Sequence, residues 1–173
     1  MNADTIKQDV YGWVRDYIEV NHEFYNYKFP PCPFARSARL KGLMDIQVWQ
    51  KGSYYRFAEQ SALDMQSNIN YTVRILVFPH AMKYHFWMKN KIAKLNSKIV
   101  ALDLYAQIGS AIKTTSKYPG LLETGPYGIV IINRLSDILN GHQSLLKTDY
   151  YKPWSMEHYD AVVTRRQEIA NKF

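Results

Sequence analysis

The run "IVII" at 129–132 restricts this chain more than any other stretch. Four β-branched residues in a row follow the Gly- and Pro-bearing segment 115–128 and stop at Asn133-Arg134. A continuous apolar run this short reads as a strand covered on both faces. Such a strand needs packed layers above and below it, so the fold must place helices around a sheet. A second strand is predicted at "YTVRILVF" (71–78), rich in β-branched and aromatic residues and ended by Pro79. A third is predicted at "LMDIQVWQ" (43–50), where Met44, Ile46 and Val48 alternate with Asp45 and Gln47.

Helical spacing fills the intervals. Ile6, Val10, Trp13, Val14, Tyr17 and Ile18 form an apolar stripe and predict an amphipathic helix within residues 1–22, capped by Asn2 or Asp4. A short helix is expected over 34–41, closed by Gly42, and a longer one over 54–67 behind Gly52-Ser53. From His80 a further helix carries Tyr84, Met88, Leu95, Ile99 and Leu102 on one stripe. It runs on to Ile108, or it breaks at Asn96-Ser97 before a strand at 99–105; periodicity leaves both open. Segment 115–128 reads as a loop, Ser136 as the cap of a helix through Leu146, and 155–171 as a last helix with Tyr159, Val162, Val163 and Ile169. The expectation is a single α/β (or α+β) sandwich domain spanning 1–173, with a mixed sheet of three to five strands.

At 173 residues and 47% apolar content the chain can bury a core without cross-links, and one cysteine excludes an internal disulfide. No apolar run reaches the roughly 20 residues of a membrane span, and no secretory leader is visible, so a cytoplasmic location without membrane contact is expected. The net charge of +7 is concentrated: residues 81–117 hold seven lysines and one acid, Asp103. On a helical wheel Lys83, Lys91, Lys94 and Lys98 share a narrow arc with Trp87. Lysines that neutralise phosphates and an indole that stacks on a base suit single-stranded nucleic acid; an acidic protein fits the same field. Lysine stems covering apolar neighbours on a solvated helix face explain the pattern equally simply.

If the strands run parallel, their carboxyl ends, Gln50-Lys51, Pro79-His80 and Asn133-Arg134, share one rim where ligands bind in α/β folds. Arg134 with Asn133 could clamp a carboxylate or phosphate there, or pair with Glu123 or Asp137 to anchor the strand end. Arg74, in mid-strand, reads as structural, and Glu19 with Glu23 as a solvated face. The lone Cys32, in "PPCPFARSARLKG", has Arg36 and Arg39 close behind it. Either it is a small buried apolar side chain, or helix amides and arginines make it a reactive thiolate. His80 and His85 are five residues apart, and His22, His142 and His158 are scattered, so no metal or other cofactor is expected. Phosphate-loop, nucleophile-elbow and dinucleotide motifs are missing.

"CPFARSARLKG" resembles the active-site segment of omega-class glutathione transferases and glutaredoxin-like proteins, where Cys-Pro-Phe-Ala starts a helix in a thioredoxin fold. With Ala35 in the place of a second cysteine, that resemblance implies monothiol chemistry. More of the chain is similar to a family of uncharacterised bacterial proteins. The shared features are Trp13-Val14, Cys32-Pro33-Phe34-Ala35, Leu76-Val77-Phe78-Pro79, Pro126-Tyr127, Arg134 and Ile138. The histidines usual in that family's middle segment and last strand are absent, with Ile131 at the second position. This resemblance implies fold and single-domain architecture rather than an activity. The first expectation is therefore a small-molecule or thiol-type site built from Cys32, Arg36, Arg39, His80, Asn133 and Arg134. The second is a non-catalytic protein that binds an anionic partner through the lysine face of 83–98. A homo-oligomer through aromatic surface is compatible with either.

Overall fold

A computed structural model describes residues 2–79, 85–109 and 127–172, without the side chains of residues 85, 86, 87 and 89. The order is α1 (Ala3–Trp13), continued by a π-helical turn (Val14–Ile18), then α2 (Ala35–Leu40), β1 (Met44–Val48), α3 (Tyr54–Ser67) and β2 (Val73–Phe78). There follow α4 (His85–Ile99), β3 (Leu104–Ile108), β4 (Gly128–Arg134) and α5 (Leu135–Leu145). The chain ends in α6 (Met156–Tyr159), a second π turn (Asp160–Thr164) and α7 (Arg165–Ala170).

The four strands form one mixed sheet in the order β1-β2-β4-β3. β1 and β2 are parallel, whereas β4 lies antiparallel to both β2 and β3. Alternation along the strands then builds two cores. Leu76, Phe78, Val130, Ile132, Leu104 and Ala106 face α3 and α4, where they meet Ala62, Met65, Leu95 and Ile99. Ile75, Val77, Tyr127 and Ile129 face the other way, onto Ile6, Val10, Val14 and Ile18 of α1 and its π turn. The predicted strand at 129–132 is thus β4, covered on both faces.

The stretch left open at 99–105 follows neither alternative in full. α4 ends at Ile99, a 3₁₀ turn covers Val100–Leu102, and Asp103 takes φ +57° to start β3. Asp103 also caps α5: its carboxylate accepts from the Ser136 amide at 2.8 Å and from the Ser136 hydroxyl at 2.6 Å. Ser136 is therefore capped by Asp103 rather than acting as the cap, because the αL turn brings that aspartate under the first turn of the helix. The helices expected at 1–22 and 155–171 are present, each interrupted by a π turn.

β3 is an edge strand, and Asn96 of α4 closes part of that edge. Its side-chain amide donates to the Ala106 carbonyl at 2.8 Å, and its carbonyl accepts from the Ala106 amide at 2.7 Å. A buried side chain thereby replaces the pairing a neighbouring strand would supply. Asn96→Ala should leave both groups of Ala106 without partners and destabilise the fold by about 2–4 kcal/mol. Urea unfolding checks this; a loss below about 0.5 kcal/mol would show that the amide is dispensable.

Candidate anion site around Arg166 and Cys32

The antiparallel course of β4 separates the residues expected to share a rim. Asn133 pairs with Val73 and Tyr105, and Arg134 with Leu104, at the amino-terminal ends of β2 and β3. The carboxyl ends of β1 and β2 lie at the opposite rim. Arg134 also points to the α3 face, where its guanidinium donates to the carbonyls of Met65 (2.9 Å) and Asn68 (3.4 Å). It closes the carboxyl end of α3. Cys32 packs into the core on the other face, so the structure does not bring Cys32 and Arg134 together.

Arg39 is also committed elsewhere. It makes a two-pronged pair with Glu19, at 2.5 and 2.9 Å, and sits against Tyr11. Glu19 is 7% exposed, so it belongs to an interior ion pair and not to the solvated face expected for it. Arg36 is exposed. Arg74 is buried under α3, donating to the Ser61 carbonyl at 2.5 Å with Asp45 2.7 Å from its Nε, which is the structural role expected. His80 and Lys83 lie outside the described residues, as do Glu123 and Pro126 and the side chains of His85 and Trp87. Lys98 pairs with Glu59 at 2.5 Å, and Lys94 and Lys98 lie over the Tyr55 ring at 5.8 and 5.5 Å. Lys91 is partly buried and has a partner of its own. Lys94 and Lys98 thus help to seat α4 on α3.

What does surround Cys32 is a group of aromatic residues and one arginine from the last helix. The segment before α2 is held at several points. The Cys32 amide donates to the Ile18 carbonyl at the end of the first π turn (3.1 Å), and the Tyr150 hydroxyl donates to the Pro31 carbonyl (2.6 Å). Phe34 lies against Gly141 of α5, where an added Cβ would come within 2.9 Å of the ring. Tyr150 in turn stacks on Tyr25, with ring centres 4.8 Å apart and planes 13° apart.

Arg166 enters this group from α7, directly after the second π turn. Its side chain donates to Gln107 Oε1 and lies over the Tyr105 ring, 5.6 Å from the centre. Tyr105 and Gln107 are alternate residues of β3 and face the α5–α7 side of the sheet. Arg166 is partly buried, it also hydrogen-bonds to the Tyr105 side chain, and among the described residues no carboxylate pairs with it. Burial pulls its pKa down, while Tyr105, Tyr151 and Cys32 oppose that pull. His142 is buried between Tyr151, 3.1 Å from its Nδ1, and Tyr159, 3.5 Å from its Nε2. Burial and then the charge of Arg166 lower the pKa of both His142 and His158, which favours their neutral forms. The Tyr151 hydroxyl is pushed up to about 12, chiefly by burial, so it stays a hydrogen-bond donor.

Burial also pushes the Cys32 thiol up, against the opposing effects of the Phe34 and Ala35 amides and Arg166. Part of the residue reaches solvent, yet its desolvated surroundings dominate. The helix amides that the redox resemblance invokes are present, but they do not overcome the burial. Among the described residues no three His, Cys, Asp or Glu side chains are grouped to hold a metal ion, and no helix is long and apolar enough to cross a membrane. No family model, curated protein or solved structure matches this chain.

The sequence reading passed over Arg166, although it carried a signal. Tyr159, Val163, Arg166 and Ile169 recur at spacings of four and three, so the arginine sits on the apolar stripe of its helix. A cation at such a position must be covered, and what covers it is informative. The raised thiol pKa gives a direct check on Cys32. Thiolate absorbance at 240 nm should develop only above pH 9, the ordinary value of a thiol, because burial raises Cys32 beyond it. Full ionisation at pH 7.5 would show instead that the helix amides and Arg166 control the sulfur.

Proposed function

We propose that this protein binds a small anionic molecule at Arg166, on the sheet face formed by Tyr105 and Gln107 and bordered by Cys32. One observation carries the reading: a partly buried guanidinium whose hydrogen-bond partners are the neutral Gln107 amide and the Tyr105 hydroxyl, and which no carboxylate of the described residues neutralises. Removing a charge from water without a counter-ion costs several kcal/mol, so proteins keep such groups where a ligand completes them. An anion about 4 Å from this cation gains about 4 kcal/mol at an effective dielectric near 20, against about 1 kcal/mol beside a fully hydrated lysine. That difference favours Arg166 over the exposed lysines of α4 as the binding group.

The local backbone supports the reading. π turns occur mostly as single insertions in α-helices and cluster at functional sites. Here one ends at the carbonyl that holds Cys32, and the other delivers Arg166. The resulting site can hold and orient an anion through a planar donor fork and tyrosine hydroxyls. Cys32, with its elevated pKa, serves as a neutral wall beside the anion rather than as a nucleophile.

Thermal unfolding with formate, acetate, benzoate, sulfate and phosphate tests the proposal. At ten times its dissociation constant, a bound anion adds about 1.4 kcal/mol and raises Tm by about 3–5 °C. The rise should vanish in Arg166→Met and persist in Arg36→Met, which alters an exposed arginine. A rise that survives Arg166→Met, or no rise with any of the five anions, contradicts the proposal.

A further inference from the structure

We infer that the outer edge of β1 pairs with the same edge of a second copy of this chain, joining two four-stranded sheets into one. β1 and β3 are the two edges of the sheet. Asn96 closes the β3 edge through both main-chain groups of Ala106, whereas among the described residues no strand or side chain does the same for β1. In the parallel β1–β2 pair the Leu43 carbonyl accepts from the Thr72 and Val73 amides, and the Trp49 amide donates to the Val77 carbonyl. Odd-numbered residues of this stretch therefore turn toward β2, and the main-chain groups of Met44, Ile46 and Val48 point outward. All five residues of β1 are half-buried, while β2 is buried from Arg74 to Phe78. Proteins blunt an exposed edge with proline, lysine or a bulge, and β1 has none of these. Its one charged residue, Asp45, is answered by Arg74 at 2.7 Å.

The sequence of the strand selects the occupant. A two-fold axis normal to the sheet sets like strands antiparallel and repeats every contact. Centred on Ile46, it places Ile46 against Ile46 of the second copy, and Met44 against Val48 of the second copy. These are the residues whose main-chain groups point outward, so each pair exchanges two N–H···O bonds. Their side chains lie on the α1 face, where apolar meets apolar across the junction. On the α3 face Asp45 falls opposite Gln47 of the second copy. The Gln47 amide donates to its own Asp45 at 2.9 Å and has a second hydrogen to give across the junction. An axis at Asp45 would oppose two carboxylates, and one at Gln47 would set Asp45 against Trp49 of the second copy. Charge complementarity and apolar pattern thus agree on one register.

Sedimentation equilibrium and amide hydrogen exchange of the full, unaltered chain test this. The mass should rise with concentration from 20.3 kDa toward twice that value. The Ile46 amide should exchange about tenfold more slowly where the dimer prevails than where the monomer does. Two cysteine variants, each also carrying Cys32→Ser, read the register. Ile46→Cys sets the two Cα atoms about 5.5 Å apart, within disulfide reach, and should oxidise to a cross-linked dimer. Val48→Cys sets them about 13 Å apart and should not. A mass of 20.3 kDa at every concentration would overturn the inference. So would a dimer in which Ile46 exchange is independent of concentration, or one in which Val48→Cys cross-links as readily as Ile46→Cys.

Discussion

The antiparallel β4, paired on both sides between β2 and β3, is the constraint on which the rest of the structure depends. Its residues alternate into two separate cores, so helices are required on both sides of the sheet. Its direction also decides which side chains can meet. Because β4 runs against its neighbours, its carboxyl end lies beside the starts of β2 and β3, and Arg134 is spent on the end of α3. The same register leaves Tyr105 and Gln107 of β3 on the opposite face, where α5 and α7 cover the sheet edge.

On that face the arrangement of groups departs from ordinary core packing. Elsewhere the interior cations are answered by acids: Arg39 by Glu19 and Arg74 by Asp45. Among the described residues Arg166 is met by an amide and by the ring and hydroxyl of Tyr105. Its neighbours are tyrosines, two histidines held toward neutrality and a thiol of raised pKa, groups that solvate a cation weakly without neutralising it. Among the described residues acids answer two of these arginines and not the third, which is the basis for proposing that an outside anion completes the site.

Much of the architecture was legible in sequence because it follows from local chemistry. "IVII", "YTVRILVF" and the alternation of Met44, Ile46 and Val48 all became strands, and the apolar stripe from Ile6 to Ile18 became the helix that covers one face. Strand direction was not legible, since parallel and antiparallel strands buried on both faces share the same apolar pattern. That single ambiguity produced the expectation of a common rim for Pro79-His80 and Asn133-Arg134. The edge closure by Asn96 and the Glu19–Arg39 pair were hidden for a related reason: both join residues distant in sequence, and neither has a spacing to betray it. Cys32 drew attention by its rarity and its proline-rich setting. The residue that gives its surroundings their charge lies 134 positions later (166 − 32), on a stripe otherwise read as apolar.

The central claim is that Arg166, which no carboxylate of the described residues neutralises, takes an outside anion as its partner. It is tested most directly by a crystal structure of the protein soaked with sodium bromide. The account predicts an anomalous bromine peak within hydrogen-bond distance of the Arg166 guanidinium. A carboxylate side chain of the protein occupying that position, with no bromine peak nearby, would contradict it.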